Sequence, residues 1–392
     1  MKNIIIYEDN NIDKLSPFSI NHASFETKCG IYNNLGRILH YYGANTNITL
    51  IVRDEIKGLI SERYPSYNIN PPEIPSGICI NGAAVINKKY FDLLLSKNLK
   101  SNNNTISFIL KNKLKLSDFN DHINKIDDFD IIDIPYISYL WDCIDLIPSI
   151  LNYDMAHNVK KNKLKKYDDV VYINEDNIVI DNSSTIEPGS IIDAKNGPVI
   201  ISKNVIVQSG SIIKGPVFID KNSLISNGAK LKGNVLIGQT CKVGGEVTNT
   251  IFQGFSNKVH DGFIGHSYIG EWVNLGANTN NSNLKNNYSS IKFTFPNNTL
   301  DTKREFLGVM VGDYTRTGIS TMINTGSYFG MGSNVFGSGF QNKFIDSFSW
   351  GKDAKVDFDK FINTLEIMKN RRSKKLSKIE FKFLEKIYSK IN

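Results

Sequence analysis

A chain of 392 residues is too long for one ordinary core and points to two or three domains. Its 41% hydrophobic and 22% charged residues exclude disorder throughout, and no apolar run approaches the roughly 18 residues that a membrane span requires. Most of the net charge of +7 sits in residues 352–392, which hold twelve Lys/Arg and six Asp/Glu. That reads as a solvated amphipathic tail or one that meets an anionic partner, and not as the broad basic surface of a nucleic-acid binder.

The opening MKNIIIYEDNN has the pattern of a first β-strand and lacks the apolar length of a signal peptide. ITLIV around residue 50 reads as a second buried strand, with CGIYNNLGRILHYYG between them as a helix. FDLLLSKNL and SYLWDCIDLIPSILNYDMAHNV add helical patterns, so residues 1–150 are expected to form an α/β domain. Residues 151–175, with the basic run Lys160–Lys166, are expected to be a connecting helix. Cys29, Cys79, Cys143 and Cys241 are scattered, which argues against a disulfide framework or zinc site and fits a reducing, cytoplasmic location.

From Ile201 an aliphatic recurs every sixth residue: Ile201, Val207, Ile213, Ile219, Ile225, Leu231, Ile237 and Val243. Ile180, Ile186 and Ile192 precede this series, Phe263, Ile269 and Leu275 continue it, and Val311, Thr317, Ile323, Phe329 and Val335 resume it. A period of six fits neither a helix face nor a plain alternating strand. It fits a solenoid of short strands and corners in which three units complete one triangular coil. Pro188-Gly189, Ser209-Gly210, Asn227-Gly228 and Gly244-Gly245 supply corner residues. A hexapeptide parallel β-helix over 176–350 is therefore expected, with an insert at 285–306 and a tail over 351–392 containing helices at about 357–372 and 377–391.

The stretches GGEVTNTIFQGFSNKVHDGFIGHSYIGEWVNLGANTNNSNLKNNY (244–288), GSGFQNKFIDSFSWG (337–351) and MKNRRSKKLSKIE in the tail resemble one family. It is the alternative bacterial bifunctional N-acetylglucosamine-1-phosphate uridyltransferase and glucosamine-1-phosphate acetyltransferase family. The resemblance covers nearly the full length. It implies a nucleotidyltransferase-like α/β domain, a left-handed β-helix acyltransferase domain and a short helical tail. In the family's H-x-x-Y-x-G stretch the histidine is the acetyltransferase base. Here it reads His260-Asp261-Gly262-Phe263-Ile264-Gly265, with phenylalanine in the tyrosine place. Asn274 and Asn283 resemble the family's sugar contacts, Glu246 and Lys258 flank the substrate in the same pattern, and Lys230 and Lys232 resemble its phosphate-binding basic stretch. Such residues suit the chemistry: a histidine titrating near neutrality takes the proton of an ammonium, and the free amine attacks a thioester. His260 and His266, one hexad apart, do not supply the three imidazoles of a zinc site.

At the N-terminus the Gly-rich phosphate loop of standard sugar nucleotidyltransferases is absent, and the chain resembles instead the pattern L-x-P-L-T-x-x-R-P-x-x-E-L-R-x-G-I. Leu15-Ser16-Pro17-Phe18, Glu26, Lys28, Gly30 and Ile31 fit it, whereas His22-Ala23 replaces the Arg-Pro pair. The resemblance makes His22, Glu26 and Lys28 candidates for the phosphates, Asn81-Gly82 a turn against base or sugar, and Asp130, Asp133 and Asp142 candidate Mg2+ ligands. It implies an enzyme that uses acetyl-CoA, a sugar 1-phosphate and a nucleoside triphosphate such as UTP, as a homotrimer. Acetyl-CoA would then lie between neighbouring prisms, with the basic tail or Lys292 near its phosphates. Two alternatives stay open: a monofunctional sugar acyltransferase with a degraded N-terminal domain, and a non-catalytic trimeric scaffold.

Overall fold

A computed structural model describes residues 2–42, 46–160 and 164–390. The chain divides into two compact units: residues 1–15, 21–142 and 377–386 form one, and residues 16–20, 143–376 and 387–392 the other.

The N-terminal unit is built on a seven-stranded sheet. It includes the strand Lys2–Tyr7, whose inward run Ile4-Ile5-Ile6-Tyr7 is at most 1% exposed. This strand lies parallel to Thr46–Ile51 on one side and to Gly77–Asn81 on the other, while Asn104–Leu110 runs antiparallel to Gly77–Asn81. The first connection passes through the helix Asn34–Tyr42, so both expected strands and the expected helix are present. Because Lys2–Tyr7 sits between strands that leave it in opposite directions, the carboxyl ends of Lys2–Tyr7 and Gly77–Asn81 open a crevice of the kind that binds ligands in α/β sheets.

The larger unit is a left-handed parallel β-helix. Register partners along one face, Val199, Val217 and Val235, advance by one 18-residue coil each. All eight aliphatics from Ile201 to Val243 point into the prism and are at most 1% exposed. The beat slips at the next coils, where Val247, Phe252, Lys258 and Ile264 point inward. Phe263, expected inside, is half-buried on the outer side, because the inward residues Ile264 and Ile269 are five positions apart instead of six. The solenoid begins with the strand Val171–Ile173, paired with Ile191–Asp193. The expected connecting helix stops at His157, the end of the helix Leu140–His157. Lys161–Lys163 fall outside the described residues. From Leu164 the chain is irregular because Leu164, Tyr167, Val170 and Tyr172 pack on the solenoid core. The insert 285–306 forms an antiparallel hairpin of Lys292–Thr294 and Thr299–Asp301.

One corner of the prism changes character along its length. Successive coils place Asn204, Asn222, Thr240, Phe255, Trp272, Tyr314, Gly332 and Phe348 there, all with positive φ. Asparagine adopts this conformation readily, whereas bulky side chains do so only where the surroundings hold them. Here the holding is aromatic: Phe255 stacks on Trp272 at 4.5 Å, and Tyr314 and Phe348 both meet Phe361 edge-on. Phe361 belongs to the tail helix Phe358–Asn370, capped by Asp357, whose carboxylate accepts from the N–H of Lys360.

Candidate active sites

His260 stands exposed at the corner between the strands Asn257–Lys258 and Phe263–Glu271. It opens onto a cavity of about 490 Å3 against the prism face whose register column runs Asn257, Asn274, Arg316. The stacked rings of Phe255 and Trp272 line one wall. The end of the tail helix supplies Met368, Arg371 and Arg372, and Arg372 donates to the Asn257 amide oxygen at 3.1 Å. Arg316 donates toward the Met368 sulfur, and Lys369 lies 5.3 Å over the Trp272 ring. One imidazole, two asparagine amides, the Lys242 ammonium and three guanidiniums thus surround a space that suits a phosphorylated, hydrogen-bonding ligand. Of the two basic elements expected near the cofactor phosphates, the tail lines this cavity. Lys292 lies on the insert hairpin and is not among its lining residues.

The other sequence candidates of the solenoid are distributed differently. Asn274 shares the His260 cavity. Lys230, Glu246 and Phe263 are register partners on the adjacent face, and Lys232 pairs with Glu246 at 3.0 Å. Asn283 turns to His266, its amide donating to Nδ1 at 2.8 Å. Burial and the nearby Arg304 hold His266 down at about 4, so the ring is neutral at pH 7 and accepts that bond. It also stacks on Phe306. Lys258, expected at the substrate, instead points into the prism and is 1% exposed.

In the N-terminal unit the crevice at the strand ends is a cavity of about 170 Å3 lined by Asp9, Asn11, Asn81, Asn104, Asn120 and Asn124 among others. The Asp9 carboxylate organises it, accepting from Asn81 at 2.8 Å, from the Tyr136 hydroxyl at 2.6 Å and from the Asn11 backbone at 2.9 Å. Burial first, then the Asp9 charge, pushes the Tyr136 hydroxyl far up, so it stays a donor. Among the described residues no lysine or arginine lines the cavity. Asn81 was legible in the sequence. Asp9 and Tyr136 were not, since 127 residues separate them. Gly82 serves packing: a side chain there would come within 2.7 Å of the Ser24 hydroxyl and 3.0 Å of Phe25.

His22 and Glu26 form a buried network. Arg63 donates to the Glu26 carboxylate at 2.8 Å and approaches His22 Nδ1 at 3.1 Å, and the Tyr64 hydroxyl also donates to Glu26. Burial alone would raise the Glu26 carboxyl, but Arg63 and His22 outweigh it and hold it at about 2. The arginine missing from position 22 is thus matched by a guanidinium from the helix Lys57–Arg63. Lys28 is buried on a two-residue strand against Asn33. Because Glu26 titrates lower folded than its ordinary 4.5, its contribution to stability is full above about 4.5 and is lost as pH falls toward about 2. Urea midpoints of wild type and Glu26→Gln should therefore converge over that range; a constant gap would show that the carboxylate charge is not what matters.

The acidic candidates for Mg2+ are corrected by the structure. Asp130 pairs with Lys97, Asp133 is exposed and its carbonyl accepts from Tyr90, and Asp142 accepts the N–H groups of Ser138 and Tyr139 at a helix start. They do not gather their carboxylates into one ligand group. Asp9 fits better, since Mg2+ is commonly held by one or two carboxylates with substrate phosphates and water completing the octahedron.

Residues 4–163 match the family model of sugar nucleotidyl transferases. Over 162 residues the chain is 32% identical to a bifunctional sugar-1-phosphate nucleotidylyltransferase/acetyltransferase of Sulfurisphaera tokodaii. The match covers 41% of this chain and 40% of that protein, so the chain spans less than half the length of this curated relative. Among solved structures, the UDP-N-acetylglucosamine acyltransferase of Francisella novicida aligns over 56% of this chain and 78% of its own, at 14% identity and a TM-score of 0.21. That superposition carries no argument about substrate. Among the described residues no helix is long and apolar enough to cross a membrane.

Proposed function

We propose that this chain, whose residues 4–163 match the family model of sugar nucleotidyl transferases, is a bifunctional transferase of nucleotide-sugar biosynthesis. The solenoid acetylates an amino-sugar 1-phosphate of the glucosamine-1-phosphate class with acetyl-CoA. The N-terminal domain joins the product to a nucleotide from UTP or a related triphosphate. The observation that carries the reading is the His260 cavity, with Asn274 on one side and Arg316, Arg371 and Arg372 on the other. His260 takes a proton from the sugar ammonium. The freed amine attacks the thioester carbonyl, the carbon–sulfur bond breaks, and the coenzyme leaves as a thiolate that is then protonated. The three arginines suit the phosphates of the donor.

For nucleotidyl transfer, Asp9 would hold Mg2+, which supplies charge neutralisation at the phosphates. Asn81, Asn11 and Tyr136 would orient sugar or base through hydrogen bonds. Lys28 is buried on its two-residue strand and is not among the residues that line this cavity, so neutralising the phosphates here would fall to the metal. The lining of this cavity, made among the described residues of Asp9 and asparagines, favours a second reading, an acyltransferase whose N-terminal domain binds sugar without transferring a nucleotide. Incubation with glucosamine 1-phosphate and acetyl-CoA, reading free thiol, and then with UTP and Mg2+, reading pyrophosphate, separates the two. Thiol without pyrophosphate leaves the second reading, and neither product leaves a scaffold.

A homotrimer belongs to the same reading. Within one chain Lys230, Lys232 and Glu246 lie on the face adjacent to that of Asn274 and Arg316, and a neighbouring prism would bring the two sets together. Light scattering should give three times the monomer mass at micromolar concentration; a stable monomer would refute the shared site.

A further inference from the structure

We propose that Lys258 is a positioning residue for His260: a lysine inside the prism holds the backbone carbonyl of the corner residue and thereby fixes where its imidazole stands. The proposal rests on the acetyl-transfer reading, in which that imidazole takes the proton.

Along this face the inward column that leads up to Lys258 is aliphatic. Val207 pairs with Ile225, Ile225 with Val243, and Val243 with Lys258. A lysine there has lost its hydration, which costs several kcal/mol unless the charge is compensated. The compensation is local. The Lys258 ammonium donates to the His260 carbonyl oxygen at 2.8 Å, and the Asp261 carboxylate on the next residue favours the charged form. Burial outweighs Asp261 and brings the amine down to about 8, the mark of a cation kept dry.

Counting acceptors shows why a side chain is needed. The corner carbonyls of Asp261 and Gly262 accept from the N–H groups of Asn278 and Glu246 on neighbouring strands and turns. For the carbonyl of His260 the donor is the Lys258 side chain. The ammonium holds this carbonyl from inside the prism, so without it the tie to the core is lost and the corner would turn and carry the imidazole with it. Room for the arrangement comes from Gly245, at φ +69°, where a Cβ would lie 2.8 Å from the lysine nitrogen and 3.0 Å from the His260 carbonyl.

Lys258→Met tests this on the full chain, because methionine is apolar, unbranched and suited to an aliphatic column. Positioning predicts a Tm equal to or above that of wild type. It also predicts a KM for acetyl-CoA within about twofold, with kcat lowered at least about tenfold, since small misplacements of a reacting group are expensive. Hydrogen exchange of the amides of residues 259–262 should quicken. A kcat at the wild-type value, or a Tm that falls together with the rate, would overturn the proposal. Should wild type and His260→Ala turn over equally, the acetyl-transfer reading fails by itself. In that case quicker exchange at unchanged Tm still supports the anchoring, and unchanged exchange refutes it.

Discussion

His260→Ala should lower acetyl transfer by about 10²–10⁴-fold, the usual contribution of a general base, with little change in the KM for acetyl-CoA. The split follows from how the cavity divides its work. His260 supplies the imidazole at the corner, while the guanidiniums of Arg316, Arg371 and Arg372 approach from a later coil and from the tail helix. Losing the imidazole removes a proton acceptor and leaves the phosphate-binding charges in place. Arg371→Ala should show the opposite pattern, a raised KM for acetyl-CoA at nearly unchanged kcat. Steady-state kinetics on both variants, with free thiol as readout, checks the assignment. Full activity in His260→Ala would make the histidine a bystander, and the solenoid would share a scaffold with acyltransferases without their chemistry.

Arg63→Met should destabilise the N-terminal unit by about 3–5 kcal/mol, the usual cost of removing one partner of a buried charge network. Glu26 is 5% exposed and its carboxylate depends on the guanidinium and on His22 for compensation. Without Arg63 it must either protonate or open the structure to water. The double variant Arg63→Met/Glu26→Gln should recover much of the loss, because it removes the stranded charge as well. Urea unfolding at pH 7 measures both. A loss below about 1 kcal/mol in the single variant would show that water already screens the network.

The solenoid was legible because its physics is periodic: each aliphatic from Ile201 to Val243 reports its own burial through a fixed spacing. The same rule misled where the spacing shortened, and Phe263 was placed inside when Ile264 takes that position. Lys258 shows a different limit. A lysine reads as surface or as a ligand contact, and only the coordinates reveal that its partner is a backbone carbonyl two residues on. Glu26 could be named from a local pattern, but Arg63 follows it by 37 residues and carries no motif. The Asp9–Asn81–Tyr136 group likewise exists only once three chain segments meet. His260 and Asn274 share a cavity as their 14-residue separation within one coil allows, whereas Asn283 was drawn to His266 by a hydrogen bond that spacing does not forecast.

The aromatic corner has a consequence for handling the protein. A β-helix stack ends in an open strand edge, a template on which a further chain can add. Here the last coil turns back through the antiparallel pair Ser349–Trp350 and Ala354–Lys355. Phe348, fully buried, is roofed by Phe361 and by Tyr388, whose hydroxyl donates to the Val356 carbonyl. Cutting the chain before Phe358 would bare Phe348, Tyr314 and Trp272 together beside an unguarded edge. Such a fragment would keep its coils and lose its solubility, growing end to end into filaments, so the tail acts as a stopper on polymerisation as well as a wall of the cavity.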